Sequence, residues 1–312
     1  MGSWLQAPYF ILLIKGYKNM KKVIIRIVGG LGNQLFCYAA ACRLARVNNA
    51  ELVIDDTSGF VHDPYRRRYQ LDHFNIACRK ATVVERLEPF SRIRRYLKRA
   101  YNRYLPFEER TYIQQEGINF DPRLLQVRPR DTVYLEGYWQ SEGYFKDIEQ
   151  TIREHLRISP PTDIANQEMG LSIQNTLAVA IHVRFFDAPH APGPHNVSND
   201  YYTRAVMQME KWVPCAHYFI FSDQPDAARA RIPLPDQRIT CVAHHRRDAS
   251  AYSDLWLMTQ CQHFIIANST FSWWGAWLGE EQGKHVVAPA LKKMGKTSWG
   301  FEGLIPDRWM LV

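Results

Sequence analysis

Val23-Ile24-Ile25-Arg26-Ile27-Val28-Gly29-Gly30-Leu31-Gly32-Asn33-Gln34 opens the first regular structure of this chain. The β-branched run from Val23 to Val28 has strand length and stops at a glycine-rich turn. Beyond it, Leu35, Tyr38, Ala39, Cys42 and Ala45 recur at helical spacing. Glu51–Asp55 (ELVID) is a second strand. A strand, a glycine loop, a helix and a further strand make a β-loop-α-β unit, with the loop at the carboxyl end of the first strand.

Working outward, Ser159-Pro160-Pro161-Thr162 is the strongest linker signal. After it, strands are expected at 177–183, 218–221, 239–242, 264–267 and 285–288. Helices are expected at 201–213, 226–232, 253–262 and from 271. This alternation predicts an α/β fold with mainly parallel sheets covered on both faces. The 312 residues suffice for about two domains. They divide into an N-terminal extension at 1–19, expected to lie outside the fold, a domain at 20–160 and a domain at 161–312. Within the extension, Trp4–Ile14 is apolar but shorter than a membrane span. It lacks the charged start and cleavage site of a secretory signal.

Three polar clusters each follow an apolar strand: His182–Asp187 (HVRFFD), Phe221–Asp223 (FSD) and Asn268–Trp274 (NSTFSWW). In an open parallel sheet, ligands bind beyond the carboxyl ends of the strands, so three clusters at that address point to one site. Arg184 offers a planar fork for phosphate oxygens. Ser269, Thr270 and Ser272 stand where strand gives way to helix, a place that favours anions. Gly30 and Gly32 allow the first loop's backbone to approach a ligand. Plainer readings are an Arg184–Asp187 ion pair and helix capping by Asn268–Ser272.

With 39 Lys plus Arg against 31 Asp plus Glu, the net charge is +8, which favours anionic partners. Nucleic acid is disfavoured, because the basic residues gather on one segment without a nucleic-acid motif. That segment, Val83–Tyr104, carries apolar residues every three or four positions, with Arg86, Arg92, Arg94, Arg95, Lys98, Arg99 and Arg103 between them. It reads as a basic amphipathic helix. Either its apolar face meets the core and its basic face meets water, or it contacts anionic lipid. Gly30-Leu31-Gly32-Asn33-Gln34-Leu35 fails the dinucleotide fingerprint at its last position, there is no phosphate-binding P-loop, and no D-x-D occurs to hold a metal. The six cysteines have no C-x-x-C spacing and read as reduced core thiols of a cytosolic protein. Sequons occur at Asn196 and Asn268, the second against a dense apolar run. The aromatic content of 13% fits either sugar and nucleotide stacking or core.

GGLGNQLFCYAAA (29–41), the H-x-R that ends a strand with Asp187 three residues on, FIFSD (219–223) and HFIIANSTFSWWGAWL (263–278) together resemble the α-1,2-fucosyltransferases of glycosyltransferase family 11. The resemblance covers about Met20 to Pro289. It implies a GT-B fold, two Rossmann-like domains facing a cleft, with the donor on the C-terminal one. It further implies GDP-β-L-fucose as donor, inversion to an α-linkage on a glycan such as one ending in galactose, and no metal or other cofactor. Arg184 would then hold the departing diphosphate, with His182 and Asp187 shaping its pocket. Ser222 and Asp223 would lie near the nucleoside, while Asn268, Ser269, Thr270, Phe271 and Ser272 would surround the nucleotide. Asn33 would face the cleft between fucose and acceptor, beside Gly30 and Gly32. The acid–base partner is Asp187, or His190 or His195 on the loop after it. The family's H-x-R-R-G-D is broken by Phe185 and Phe186, for which Arg26, Lys292 or Lys293 would compensate. A lipid-linked acceptor at the inner membrane face suits the segment 83–104. A transferase using another GDP-sugar or linkage, and a non-catalytic nucleotide- or glycan-binding module, are the alternatives.

Overall fold

The computed structural model describes residues 20–189, 195–243, 250–280, 282–290 and 299–312. In the first half, β1 (Lys22–Arg26), α1 (Leu31–Val47), β2 (Glu51–Asp55), β3 (Arg79–Lys80), α2 (Ser91–Asn102), β4 (Tyr112–Gln114), α3 (Arg123–Gln126) and β5 (Thr132–Glu136) follow in order. The strands form one parallel sheet in the order β3-β2-β1-β5-β4. Next come α4 (Glu149–His155) and α5 (Ile164–Gln174). The second half runs β6 (Ala178–Val183), α6 (Asn199–Trp212), β7 (His217–Ser222), α7 (Pro225–Arg229), β8 (Ile239–Val242), α8 (Ala251–Thr259), β9 (His263–Ile265), α9 (Thr270–Gly279), β10 (Val286–Ala288) and β11 (Met310–Leu311). Its sheet is parallel too, ordered β11-β10-β9-β6-β7-β8. Counted along the chain this is 3-2-1-4-5-6 mirrored at its edges, the doubly wound Rossmann order. The architecture is GT-B, as expected. The β6 sequence AVAIHV is buried along its whole length, because helices cover both faces of a parallel sheet.

The two halves meet through α1 and α9. A helix that is apolar all round must be buried all round, and α1 is, from Leu31 to Ala45 with few exceptions. Phe36 of α1 packs on Trp273 and Trp274 of α9 at ring distances of 4.5 and 4.9 Å. Trp273, Trp274 and Trp277 have no exposed surface. The aromatic excess in this motif is therefore seam, not a sugar-stacking platform. Arg153 closes the seam by donating to the carbonyls of Trp277 (2.6 Å) and Leu278 (3.3 Å) at the carboxyl end of α9, where a cation is favoured. The last residues cross back over it: Arg308 pairs with both Glu142 and Glu280, and Trp273 Nε1 donates to the Leu304 carbonyl.

Two expectations need correction. The helix read over 83–104 is only α2, residues 91–102. Pro89 interrupts the pattern, and Leu87 and Phe90 have φ of 64° and 65°, which no helix tolerates. Its orientation is also the reverse of a core-facing helix. Arg95 and Asn102 are buried, while Phe90, Ile93, Tyr96, Leu97 and Tyr101 are exposed. The cysteines are not all core: Cys37, Cys42 and Cys261 are buried, but Cys215 is exposed.

Candidate functional site

Strand register sets the rim of the second sheet. His182 lies opposite Phe221 and Val183 opposite Ser222, while Ile181 lies opposite Ile265 on the other side. Arg184, Ser222–Asp223 and Asn268–Thr270 thus leave the carboxyl ends of three adjacent strands. Connections diverge between β6 and β9, which is where an open sheet makes its ligand crevice. Arg184 points out of the core, with 42% of its side chain exposed. Its ionic partner is Asp223 at 3.3 Å, not Asp187. Asp223 also accepts from the Phe185 N–H at 3.4 Å. The Ser222 hydroxyl accepts from Gln224 N–H, so it shapes the turn itself.

On the β9 side, Ser269 caps α9, its hydroxyl accepting from the Phe271 N–H at 3.3 Å. Ser272 is fully buried and donates to the Ser269 carbonyl. The capping reading therefore holds for Ser269 and Ser272. Asn268 is buried and donates to the His195 carbonyl at 2.9 Å, leaving its Oδ1 without a partner among the described residues. That burial removes it as a glycosylation site. His182 is buried beside Phe271, ring centroids 5.4 Å apart, and its Nδ1 is likewise unpartnered. Burial, helped by the nearby Arg184 charge, lowers its pKa to about 3, so the imidazole is neutral at pH 7.

The first-half loop meets this rim. The side-chain oxygen of Asn33 accepts from the Thr270 hydroxyl (3.0 Å) and from the Gln140 amide (2.7 Å). Asn33 lies in the first turn of α1, not on the loop itself, and Gln140 follows β5; β1 and β5 are the neighbouring parallel strands from which the chain connections run to opposite edges of the sheet. One side chain thus joins the carboxyl ends of both sheets. Gly32 permits a close approach, but to protein: a Cβ there would lie 2.4 Å from the Thr270 carbonyl carbon. Gly30 faces open space, with Arg67 Nε nearest at 3.8 Å. Gly29, at φ 79°, makes the turn that neither neighbour needs to make. Gln34 fixes the loop by donating to the Gly29 and Arg68 carbonyls and accepting from Gln70 N–H.

The model described as "Glycosyl transferase family 11" matches residues 9–298. The chain belongs to glycosyl transferase family 11. It is 30% identical to the O-antigen biosynthesis glycosyltransferase WbnK of Escherichia coli, over 84% of this chain and 91% of that protein. It is 26% identical to an alpha-1,2-colitosyltransferase of Escherichia coli, over 94% and 99%. Among solved structures it is similar to the α-1,6-fucosyltransferase NodZ of Bradyrhizobium soaked with GDP-fucose, with a TM-score of 0.51 at 15% identity, over 83% of this chain and 92% of that one. That likeness concerns the fold.

Within this family 11 chain, the two phenylalanines that break the family pattern separate. Phe185 is buried, with the Arg231 guanidinium 4.6 Å above its ring. Phe186 is exposed, 5.7 Å from Arg184. Arg26 does not compensate at this rim, since it is committed to Glu136 and Ser58 in the first half. Lys292, Lys293 and His190, like residues 1–19, lie outside the described residues. Asp187 accepts from the His195 N–H, and Asn196 accepts from the N–H groups of Phe186 and Asp187. Asn196 is therefore a loop organiser that sequence reading treated only as a sequon. Gln140 was missed as well, having no motif around it. Among the described residues no group of three or more His, Cys, Asp or Glu is placed to hold a metal ion. No described helix is long and apolar enough to cross a membrane.

Proposed function

We propose that this protein is an inverting, metal-independent α-1,2-fucosyltransferase. It would move L-fucose from GDP-β-L-fucose to the 2-hydroxyl of a terminal galactose on an oligosaccharide or lipid-linked glycan. The observation that carries the reading is Arg184. A half-exposed guanidinium, ion-paired with Asp223, leaves the carboxyl end of β6, the strand that lies between β7 and β9 at the point where the connections diverge. The acceptor oxygen attacks C1 of fucose as the bond from C1 to the β-phosphate oxygen breaks. The acceptor gives up its proton, and GDP leaves with the bonding pair. The transition state is oxocarbenium-like, and the charge gathers on the diphosphate. In this reading Arg184 and the α9 amino end would meet that charge. His182, held neutral, can take part in hydrogen bonds there without adding charge. Asp187, anchored through His195 and Asn196, is the candidate to receive the proton.

A relative named for O-antigen biosynthesis supports a bacterial surface glycan as acceptor. A relative named as an α-1,2-colitosyltransferase supports the linkage and motivates a second reading, a GDP-colitose donor. Colitose is fucose without its 3-hydroxyl, and a site that hydrogen-bonds that hydroxyl rejects the analogue lacking it by about 10⁴-fold or more. The deciding assay compares GDP-fucose, GDP-colitose and GDP-mannose with galactose-ended acceptors, with and without EDTA, and reads the product by NMR. The fucose reading requires an α-1,2-fucosyl product formed fastest from GDP-fucose and undiminished by EDTA. Preference for GDP-colitose would select the second reading. Binding of GDP with no acceptor-dependent release would make the chain a non-catalytic module and end both.

A further inference from the structure

We infer that α2 is a docking surface for an anionic lipid bilayer. The helix is attached to the first sheet by its polar side. Asn102 accepts from the N–H groups of Thr111 and Tyr112, and Arg99 pairs with Glu136 at 2.8 Å. Arg95 is buried and donates to Ser91. These residues fall at 95, 99 and 102, one helical face. The opposite face carries Ile93, Leu97 and Tyr101 at spacings of four, with Tyr96 alongside; Phe90 just before the helix and Tyr104 just after it are exposed too. Phe90 is 72% exposed and Tyr104 87%. A water-soluble surface rarely spends a contiguous apolar stripe of this size without a partner.

Charge complementarity identifies the partner. Arg92 and Arg103 are exposed and form no ion pair among the described residues, and Arg94, also exposed, donates to the Glu88 carbonyl. Lys98 lies over the Tyr134 ring. The acidic groups within the segment are already taken: Glu85 by Lys22 and Arg79, Glu88 by Arg86. Glu108 and Glu109 lie beyond the helix end. Apolar and tyrosine side chains framed by exposed arginines match a helix lying in the interface of a negatively charged membrane. The placement suits the site too. α2 is tied to Glu136, and the chain from there runs through Gly137 to Gln140, which touches Asn33. The inference stands whichever donor is used.

The test is flotation of the full chain with vesicles of phosphatidylcholine alone and with phosphatidylglycerol added, at low and high salt. The wild type is expected to float only with the anionic vesicles, and less at high salt. Ile93→Glu with Leu97→Glu should abolish flotation while leaving GDP binding and the thermal melt unchanged, since both residues are exposed. Arg92→Ala and Arg103→Ala should each weaken partitioning roughly fivefold. Failure of the wild type to float would overturn the inference. So would flotation of the double variant like the wild type, or its conversion of a dimer to a monomer in sedimentation with no vesicle binding by either protein.

Discussion

The Asn33 side-chain oxygen accepts a hydrogen bond from the Thr270 hydroxyl at 3.0 Å, across 237 positions of sequence. It ties the first turn of α1 to the first turn of α9, and it holds Gln140 of the β5 loop at the same point. Thr270→Val keeps the shape and removes the donor. One hydrogen bond is worth about 1 kcal/mol, so the melting temperature should drop by only about 2 °C. Activity should suffer more, because small misplacements at a reacting centre cost up to about 10²-fold. We expect kcat/KM to fall by about 10- to 100-fold, measured as GDP release with acceptor. A variant as active as the wild type would show that this bond merely fastens the halves together.

Gly30 and Gly32 predict opposite outcomes for the same substitution. In Gly32→Ala the new methyl would meet the Thr270–Phe271 backbone at 2.4 to 2.6 Å, so α1 and α9 must part. Overpacking of this kind costs about 1–3 kcal/mol. In Gly30→Ala the nearest atom is the movable end of Arg67 at 3.8 Å, and the backbone at φ −73° accepts any residue. Urea denaturation should place Gly32→Ala well below the wild type and Gly30→Ala within error of it. Loss of donor affinity in Gly30→Ala at full stability would mark the loop's open face as a binding surface.

Much of this geometry was legible in the residues, because strand period and helix period leave different marks. ELVID at 51–55 and the strand at 239–242 fall where the pattern puts them, and the three rim clusters share one edge because parallel strands have only one carboxyl end. What escaped was whatever depends on partners remote in sequence. The short strands β3, β4 and β5 lack the uninterrupted apolar run of β6; β5 alternates as TVYLE and β3 has two residues. The partner of Arg184 came from the next strand, not from three residues on. The α2 stripe shows why periodicity alone misleads. It reports that a helix has an apolar side, but not whether that side or the polar one faces the protein.

Burial of His182 makes stability depend on pH. Its pKa is held down to about 3, against an ordinary value near 6.5 for the unfolded chain. Between those limits the unfolded chain binds a proton that the folded one refuses, so stability falls as pH falls through this window. The slope from this residue is about 1.4 kcal/mol per pH unit. His263, held down to about 4 mainly by burial, adds in the same direction. Urea melts at pH 7, 6 and 5 should show the decline, and His182→Asn should flatten part of it. For the same reason His182 should leave no inflection in a rate profile between pH 5 and 8.

Phe185 stands where the family pattern carries a second arginine, and restoring that residue should not help. The ring is 94% buried beneath the Arg231 guanidinium, whose own donors serve the Val197 and Pro189 carbonyls. Phe185→Arg would set a cation in that pocket beside Arg231 and one residue from Arg184. An unpaired buried charge costs several kcal/mol. The variant should therefore melt well below the wild type and transfer sugar more slowly. Higher donor affinity with an unchanged melt would show that the surrounding loop can turn the new side chain out to the rim.

Arg184 gives the sharpest separation of chemistry from folding. Its side chain is 42% exposed and its partner Asp223 is itself at the surface, so an ion pair of this kind contributes about 1 kcal/mol or less to stability. Arg184→Ala should therefore melt close to the wild type. Losing a donor aimed at a developing anion typically costs about 10²–10³ in rate, and turnover should fall by that amount. Arg184→Lys keeps the charge but not the fork of donors, and should land between the two. The order wild type, lysine, alanine in kcat, with three similar melts, is the expected result. Equal kcat in all three would take this guanidinium out of the reaction and move the search for the diphosphate partner to the amino end of α9.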